Sequence, residues 1–374
     1  MMKVYVDHAA TTPLDIDAFN AMKPFLLNDF GNASQQYSFA RTAKAALKAA
    51  RVTIAKCINA EPEEIYFTSG GTESDNWAIK STAFAFGNHR AIITSQIEHH
   101  AILRSCHAVE RMGIPVFYLP VDSSGVVQPD ILSEYIDDST KMVSIMYANN
   151  EIGTIQPIKK LCEITHSKGA LFHTDAVQAV GHIPIDVKEL DIDMLSASAH
   201  KFNGPKGIGF LYIKKGTQIA PYADGGAQEF GMRAGTENIA SIVAMAVALE
   251  KNCNRMKSVS DHLIGLEKLM TSLLKKAELD FIKNGSPKKI PGNISLSFKN
   301  AEGEMLLHRL DLMGISVSTG SACDSKNTQI SHVLEAVHVS ENYAKGTIRI
   351  SLGYENTEEE IFYIVQSLMK ILKR

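Results

Sequence analysis

The sequence predicts an α/β fold built on a mostly parallel seven-stranded sheet, followed by a smaller α+β unit. Three observations carry this expectation. Seven short β-rich runs fall between residues 60 and 215, helical patterns of crossover length alternate with them, and after Gly235 the texture changes to a long helical stretch with fewer strands beyond it. At 374 residues the chain also exceeds what one hydrophobic core commonly organises, which favours about two domains.

The seven expected strands are 65–68, 91–94, 116–119, 142–147, 171–174, 194–196 and 208–213. Helices are expected between them at 73–86, 101–111 and 158–167, lengths that suit βαβ crossovers. Ahead of this block, 39–58 is rich in Ala, Lys and Leu at helical spacing, with Pro24 and Gly31 punctuating the approach. Beyond it, Leu263, Leu266, Met270 and Leu273 recur at three- and four-residue steps and mark a connecting helix near a domain boundary. The remainder predicts strands at 294–298, 315–318 and 347–352 and helices at 302–313 and 357–372. The last of these opens with Thr357 and Glu360 at capping-box spacing.

Composition narrows the function. A balance of 38 Lys+Arg against 41 Asp+Glu, a formal net charge of -3, and the absence of long like-charge blocks argue against a nucleic-acid partner. The longest mostly apolar run, 239–249, is far short of the roughly 20 residues a bilayer demands, and residues 1–13 hold no leader-like apolar stretch. Five cysteines, Cys57, Cys106, Cys162, Cys253 and Cys323, are odd in number and never spaced Cys-x-x-Cys, which fits a reducing cytoplasm rather than a disulfide framework or a zinc knuckle. The first four read as small core residues, whereas Cys323 stands in a small, polar, glycine-containing segment.

No Walker A loop, no His-Glu-x-x-His and no early Gly-x-Gly-x-x-Gly is present. Four other features offer chemistry. Lys201, in Ser198-Ala199-His200-Lys201, follows a buried strand, at the end of the sheet where α/β folds bind ligands, although a solvated loop lysine fits the same residues. The turn Ser69-Gly70-Gly71-Thr72-Glu73 joins a strand to a helix N-terminus and forms either a phosphate cup or an ordinary capped glycine turn. Asp175 ends a buried strand, where a carboxylate needs a cationic partner or serves as a helix cap. His99, at another strand end, offers a flat titratable ring or a purely structural histidine. Together they describe a pyridoxal phosphate site, which requires a Schiff-base lysine, a pyridinium partner and a phosphate anchor.

Eight ordered motifs extend the pattern: Val6-Asp7-His8-Ala9-Ala10-Thr11-Thr12-Pro13, Thr68-Ser69-Gly70-Gly71-Thr72-Glu73-Ser74-Asp75-Asn76, Asn149-Asn150-Glu151-Ile152-Gly153, Thr174-Asp175-Ala176-Val177-Gln178, Ser198-Ala199-His200-Lys201, Arg233-Ala234-Gly235-Thr236-Glu237-Asn238, Gly320-Ser321-Ala322-Cys323 and Arg349-Ile350-Ser351-Leu352-Gly353. In these the chain resembles, almost end to end, the cysteine desulfurases of the NifS/IscS type, in the class V aminotransferase group of fold type I pyridoxal-phosphate enzymes. The resemblance implies a large domain over 15–255 and a small domain formed by 1–14 and 256–374, the latter carrying the active-site cysteine loop. It implies pyridoxal 5'-phosphate on Lys201, with Asp175 at the pyridine nitrogen, Gln178 at the phenolic oxygen and His99 on the ring. Gly71, Thr72, Ser198 and His200 would bind the phosphate, joined by Thr236 from the second subunit of a homodimer. Asn150 and Arg349 would hold the carboxylate of L-cysteine, and Cys323 would accept its sulfur for delivery to an acceptor such as an iron-sulfur scaffold. A protonated His99 could assist the thiolate. The same scaffold would also suit a selenocysteine lyase or a non-catalytic sulfur-relay subunit. Gln36, Tyr37, Ala227 and Phe230 depart from the family's usual loops without removing a residue of the chemistry.

Overall fold

A computed structural model describes residues 2–86, 91–319 and 330–373. Its centre is a seven-stranded sheet of β2 (Ile65–Thr68), β3 (Ala91–Ser95), β4 (Val116–Leu119), β5 (Thr140–Ser144), β6 (Leu171–Asp175), β7 (Met194–Ser198) and β8 (Gly209–Ile213), in the spatial order β2-β8-β7-β6-β5-β3-β4. Only β8 runs against its neighbours, pairing antiparallel with both β2 and β7. The other ladders are parallel, as the alternating sequence pattern predicts.

Both faces of this sheet are buried, and strand alternation decides which residue faces which core. Ile93, Val143, Phe172, Leu195 and Phe210 pack into one cluster; their chain neighbours Ile92, Met142, Met194 and Leu211 pack into another, against α3 (Gly71–Phe86) and α4 (His100–Glu110). The first cluster also takes residues from α2 (Arg41–Cys57), α6 (Ile158–Ser167) and the first half of α7 (Ile239–Lys276). At 38 residues, or about 57 Å at helical rise, α7 is long enough to serve two cores. Its second half supplies Leu263, Leu266, Met270 and Leu274 to a separate cluster. That cluster is built with β1 (Val4–Tyr5), β10 (Asn293–Phe298), α8 (Gly303–Asp311), β11 (Ile315–Ser316), β12 (Thr347–Ser351) and α11 (Glu358–Leu372). There β12-β10-β9 form an antiparallel sheet, with β9 spanning Phe281–Asn284, while β1 pairs in parallel with β11.

Several elements differ from the sequence expectation for local reasons. The expected strand 142–147 stops at Ser144, and just beyond it the amide of Met146 bonds the Glu98 carboxylate at 3.0 and 3.1 Å. Pro24, expected as punctuation, lies inside α1 (Ile16–Leu27), which Asp15 caps by accepting the Asp17 amide at 2.8 Å. Ile16, Phe19, Leu26 and Leu27 on α1 are exposed, so its apolar residues do not form a clean inward stripe. The short α5 (Pro129–Tyr135), α9 (His332–Ala336) and α10 (Glu341–Ala344), with β1 and β9, also escape sequence periodicity. Cys106 and Cys162 are core residues as expected, but Cys57 and Cys253 are only partly buried. Among the described residues no helix is long and apolar enough to cross a membrane.

Candidate active site

The carboxyl ends of β2, β3, β6 and β7 meet along one edge of the sheet, and each delivers part of the site. After β2 the chain turns into α3 through Gly70, whose φ of +147° suits glycine, and Gly71. A Cβ on Gly71 would stand 2.6 Å from Val177 Cγ2, and one on Gly209 would stand 2.7 Å from Gly70 Cα. At Gly209, then, backbone approaches backbone too closely for a side chain, whereas at Gly71 it is the Val177 side chain that a Cβ would press on. The first-turn amides of α3 have no intrahelical acceptor and sit at the positive end of the helix, a geometry that receives an anion. Ser198, at the end of β7, is buried beside this turn, while Thr72 is exposed in it. Glu73 stabilises the turn by accepting the Ser69 amide at 2.9 Å and pairing with Arg233 at 2.8 Å.

Beyond β7, a tight turn over Ala199–Lys201 brings the Lys201 ammonium onto the carbonyls of Ala9 and Ala10, at 2.7 and 2.8 Å. Gln178 donates to the same Ala9 carbonyl at 3.0 Å. His200 Nδ1 lies 3.1 Å from Thr11 Oγ1, and burial pushes its pKa down to about 4, helped by the nearby Lys201 and Lys206 charges, so the ring is neutral. Asp175, the last residue of β6, accepts the Val177 amide at 2.9 Å. Burial raises its carboxyl, and His99, that amide and Lys201 oppose the rise. His99 caps α4, taking the Ala101 amide on Nδ1 at 3.1 Å, and burial holds it below the ordinary histidine value despite the attraction of Asp175. The geometry therefore favours a neutral His99 over the protonated ring that thiolate assistance would use.

The second core contributes a cation. Arg349, on β12, is buried and donates to Asp7 Oδ1 at 2.7 Å and to the Asn150 carbonyl at 3.1 Å, and its Nε has no hydrogen-bond partner among the described residues. Glu151, next in the chain to Asn150, is buried with its carboxyl raised to about 7, and it accepts a hydrogen bond from the Ser331 hydroxyl at 2.6 Å. Glu98, beside His99, is raised to about 8 by burial, against bonds from the Ser95 hydroxyl and the Met146 amide.

The structure thus brings together Lys201, Asp175, His99, Gln178, Ser198, His200 and the Gly71 turn, and ties Arg349 to Asn150. Thr236 lies exposed on the loop before α7. Cys323 lies outside the described residues. Sequence reasoning missed the hub of the site: residues 7–12 touch Arg349, Lys201, Gln178 and His200 in turn. Motif matching marked that segment, but no residue type in it announces carbonyl-mediated positioning. It also missed Asp75 and His173, buried behind Asp175. At the departing loop, Arg51 pairs with Glu229 at 2.8 Å and lies over Phe67 and Phe230 at 4.4 and 5.2 Å.

A strand-end acid for a pyridine nitrogen, a flat imidazole, a lysine and a glycine turn at a helix N-terminus in which Gly71 has no room for a Cβ beside Val177 fit pyridoxal phosphate in the chemistry of each donor. Residues 4–364 match the model of the family described as aminotransferase class-V, and the chain belongs to this family of pyridoxal-phosphate-dependent enzymes. Within it the chain is similar to the cysteine desulfurase IscS of Dictyoglomus turgidum, 49% identical over 376 residues that span 100% of this chain and 95% of the relative. A solved NifS-like protein superposes with a TM-score of 0.94 at 39% identity, covering 100% of both chains. A solved SspA in complex with cysteine superposes with a TM-score of 0.84 at 34% identity, covering 95% of this chain and 100% of the other.

Proposed function

We propose that this protein is a cysteine desulfurase, taking sulfur from L-cysteine, releasing L-alanine and leaving a persulfide on Cys323. The observation that carries the reading is the meeting of Lys201, Asp175 and His99 at the sheet edge with a buried Arg349 reached through the same 7–12 segment. Its support from relatives is the full-length similarity to proteins named cysteine desulfurase and to a solved complex with cysteine.

Pyridoxal phosphate, when bound, supplies an electron sink for charge developing at the amino acid's α-carbon. Gly71, Thr72, Ser198 and His200 would hold the phosphate, Gln178 the phenolic oxygen and Asp175 the ring nitrogen, with His99 against the ring face. Lys201 Nζ would anchor the cofactor, take the substrate's α-proton and later return it to the product's α-carbon, and the Ala9 and Ala10 carbonyls hold that amine in place. Arg349 and Asn150 hold the substrate carboxylate, for which the planar guanidinium fork is suited. The Cys323 thiolate attacks the substrate sulfur: an S–S bond forms, the carbon–sulfur bond breaks, and the carbon left behind takes a proton to become alanine. The working unit in this reading is a cytoplasmic homodimer in which Thr236 completes the partner's phosphate cup. Its small domain, 1–14 with 256–374, presents the persulfide to an acceptor protein such as an iron-sulfur scaffold.

The test is Cys323→Ser, which replaces the nucleophile at nearly constant volume. The variant should bind pyridoxal phosphate with the wild-type visible band, yet release no alanine from L-cysteine. In wild type after brief exposure to L-cysteine, mass spectrometry should place one added sulfur on the peptide of Cys323 and none on those of Cys57, Cys106, Cys162 or Cys253. An added sulfur elsewhere, or normal alanine release by the variant, overturns the reading.

A further inference from the structure

Behind Asp175 lies a second buried acid that the chemistry above does not use. Asp75, one turn into α3, is 1% exposed, and its Oδ1 has no hydrogen-bond partner among the described residues. Ligating atoms of Asp75, Asp175 and His99 all fall within 4.8 Å of one another. Two carboxylates so close in a dry interior cannot both be ionised without large mutual repulsion, so the pair titrates as a unit and keeps a proton.

Which member keeps it follows from what faces each. Asp175 has the Val177 amide at 2.9 Å and the charge of Lys201 acting on it. Asp75 faces Ser196 on β7, Glu98 beyond β3, which offers it no cation, and His173 on β6. The His173 ring gives Asp75 no cation. Its Nδ1 is engaged by Ser144 Oγ at 2.9 Å and its Nε2 by Ser196 Oγ at 3.0 Å, while Asp75 Oδ1 stands 3.9 Å away. Burial also drives the His173 pKa down to about 3, so the ring is neutral at ordinary pH. Burial, Asp175 and Glu98 all raise the Asp75 carboxyl, and only the Ser196 hydrogen bond opposes them.

We propose that Asp75 is a positioning residue of the cofactor site: it carries the shared proton of a buried Asp75–Asp175 pair, leaving Asp175 as the carboxylate that meets the ring nitrogen. The inference rests on the pyridoxal phosphate reading above and deepens it. The proton sits behind α3 and β6, out of contact with solvent, so the charge state of Asp175 is set by the fold and not by the surrounding buffer. A negative charge on Asp175 alone matches a single pyridinium charge, whereas two would overcompensate it.

Infrared spectroscopy reads the proton directly, as the carbonyl stretch of a protonated carboxyl. At pH 7 the apoprotein should show such a band that moves on labelling aspartate with 13C, which separates it from Glu98 and Glu151. Asp75→Asn should lose it. Asparagine is neutral and nearly isosteric with the protonated acid, so this variant should take up pyridoxal phosphate with a Kd within about threefold of wild type and an unshifted visible band. Absence of any aspartate-derived protonated band in wild type, its survival in Asp75→Asn, or a tenfold loss of cofactor affinity in that variant overturns the proposal. Because the labelled wild type is informative by itself, a variant that failed to fold would not decide the matter. Failure of the wild-type apoprotein to bind pyridoxal phosphate at all would instead sink the cofactor reading, with the infrared result still interpretable.

Discussion

In the proposed site Arg349 would serve architecture and recognition together. Two of its nitrogens are committed to Asp7 and Asn150, which fixes the plane of the guanidinium before any substrate arrives. Arg349→Lys keeps the charge and loses the fork, which should cost about 2 kcal/mol of substrate interaction. Steady-state kinetics should show kcat/KM for L-cysteine reduced by roughly 30-fold, since about 1.4 kcal/mol is a factor of ten, with cofactor affinity unchanged. Unaltered kinetics would remove Arg349 from the substrate site. Glu98 makes a different prediction, about stability. Its carboxyl is held near 8 when folded and returns to an ordinary value on unfolding, so between those values the native state binds the extra proton. Stability from this group is therefore complete at pH 4 and is lost as pH rises toward 8, with a limiting slope of about 1.4 kcal/mol per pH unit. The lowered histidines, His173 near 3 and His200 near 4, act in the opposite sense below pH 6.5. Denaturant titrations between pH 6.5 and 8 isolate the acids, and there Glu98→Gln should flatten the decline that wild type shows. The protonated Asp75 of the buried pair and, over the lower half of that window, Glu151 near 7 leave the residual slope.

At the scale of elements, the β2–α3 junction depends on the absence of side chains more than on their presence. The Cβ that Gly71→Ala introduces would press on Val177 Cγ2, on the segment that follows Asp175. Either the helix start or Val177 must shift, and both carry groups of the site. Gly71→Ala should therefore weaken pyridoxal phosphate binding at least tenfold, read by equilibrium titration of the visible band. Adding Val177→Ala should restore most of the affinity by vacating the contested space. Equal affinities in wild type and the single variant would show that the cup tolerates a Cβ. The C-terminal helix offers a contrast, because its expected capping box is present: Thr357 Oγ1 accepts the Glu360 amide and Glu360 accepts the Thr357 amide. Local chemistry of that kind is readable from four residues, whereas the Gly71 contact joins positions more than a hundred residues apart.

For the whole molecule, α7 spans both cores and the 7–12 segment returns from the second core to the cofactor end of the first. The surface carries several large apolar side chains on α1 and neighbouring loops, with Leu27 at 62%, Phe30 at 67% and Phe230 at 61% exposure. Side chains of that size left in water favour association, in keeping with the dimeric reading. Sedimentation at micromolar concentration should give a dimer. A fully active monomer would refute the shared site while leaving the chemistry within each chain intact.

What the chain's local patterns settled was the α/β class, six of the seven central strand positions closely and the glycine turn; they also named Lys201, Asp175 and His99, and through motif resemblance Arg349, as the residues of the proposed chemistry. Each of these rests on a local signal: hydrophobic period, strand-end position, or a motif whose residues are contiguous. Tertiary structure decided what no local signal encodes. It ended β5 at Ser144, beside an amide bound to the Glu98 carboxylate 48 residues earlier in the chain, and placed β8 antiparallel between β2 and β7. It also gathered Ala9, Lys201 and Gln178 around one carbonyl and set Asp75 against Asp175 in the dry interior. Such pairings depend on distance in space, burial and the sharing of charge, quantities that exist only once the chain has closed on itself.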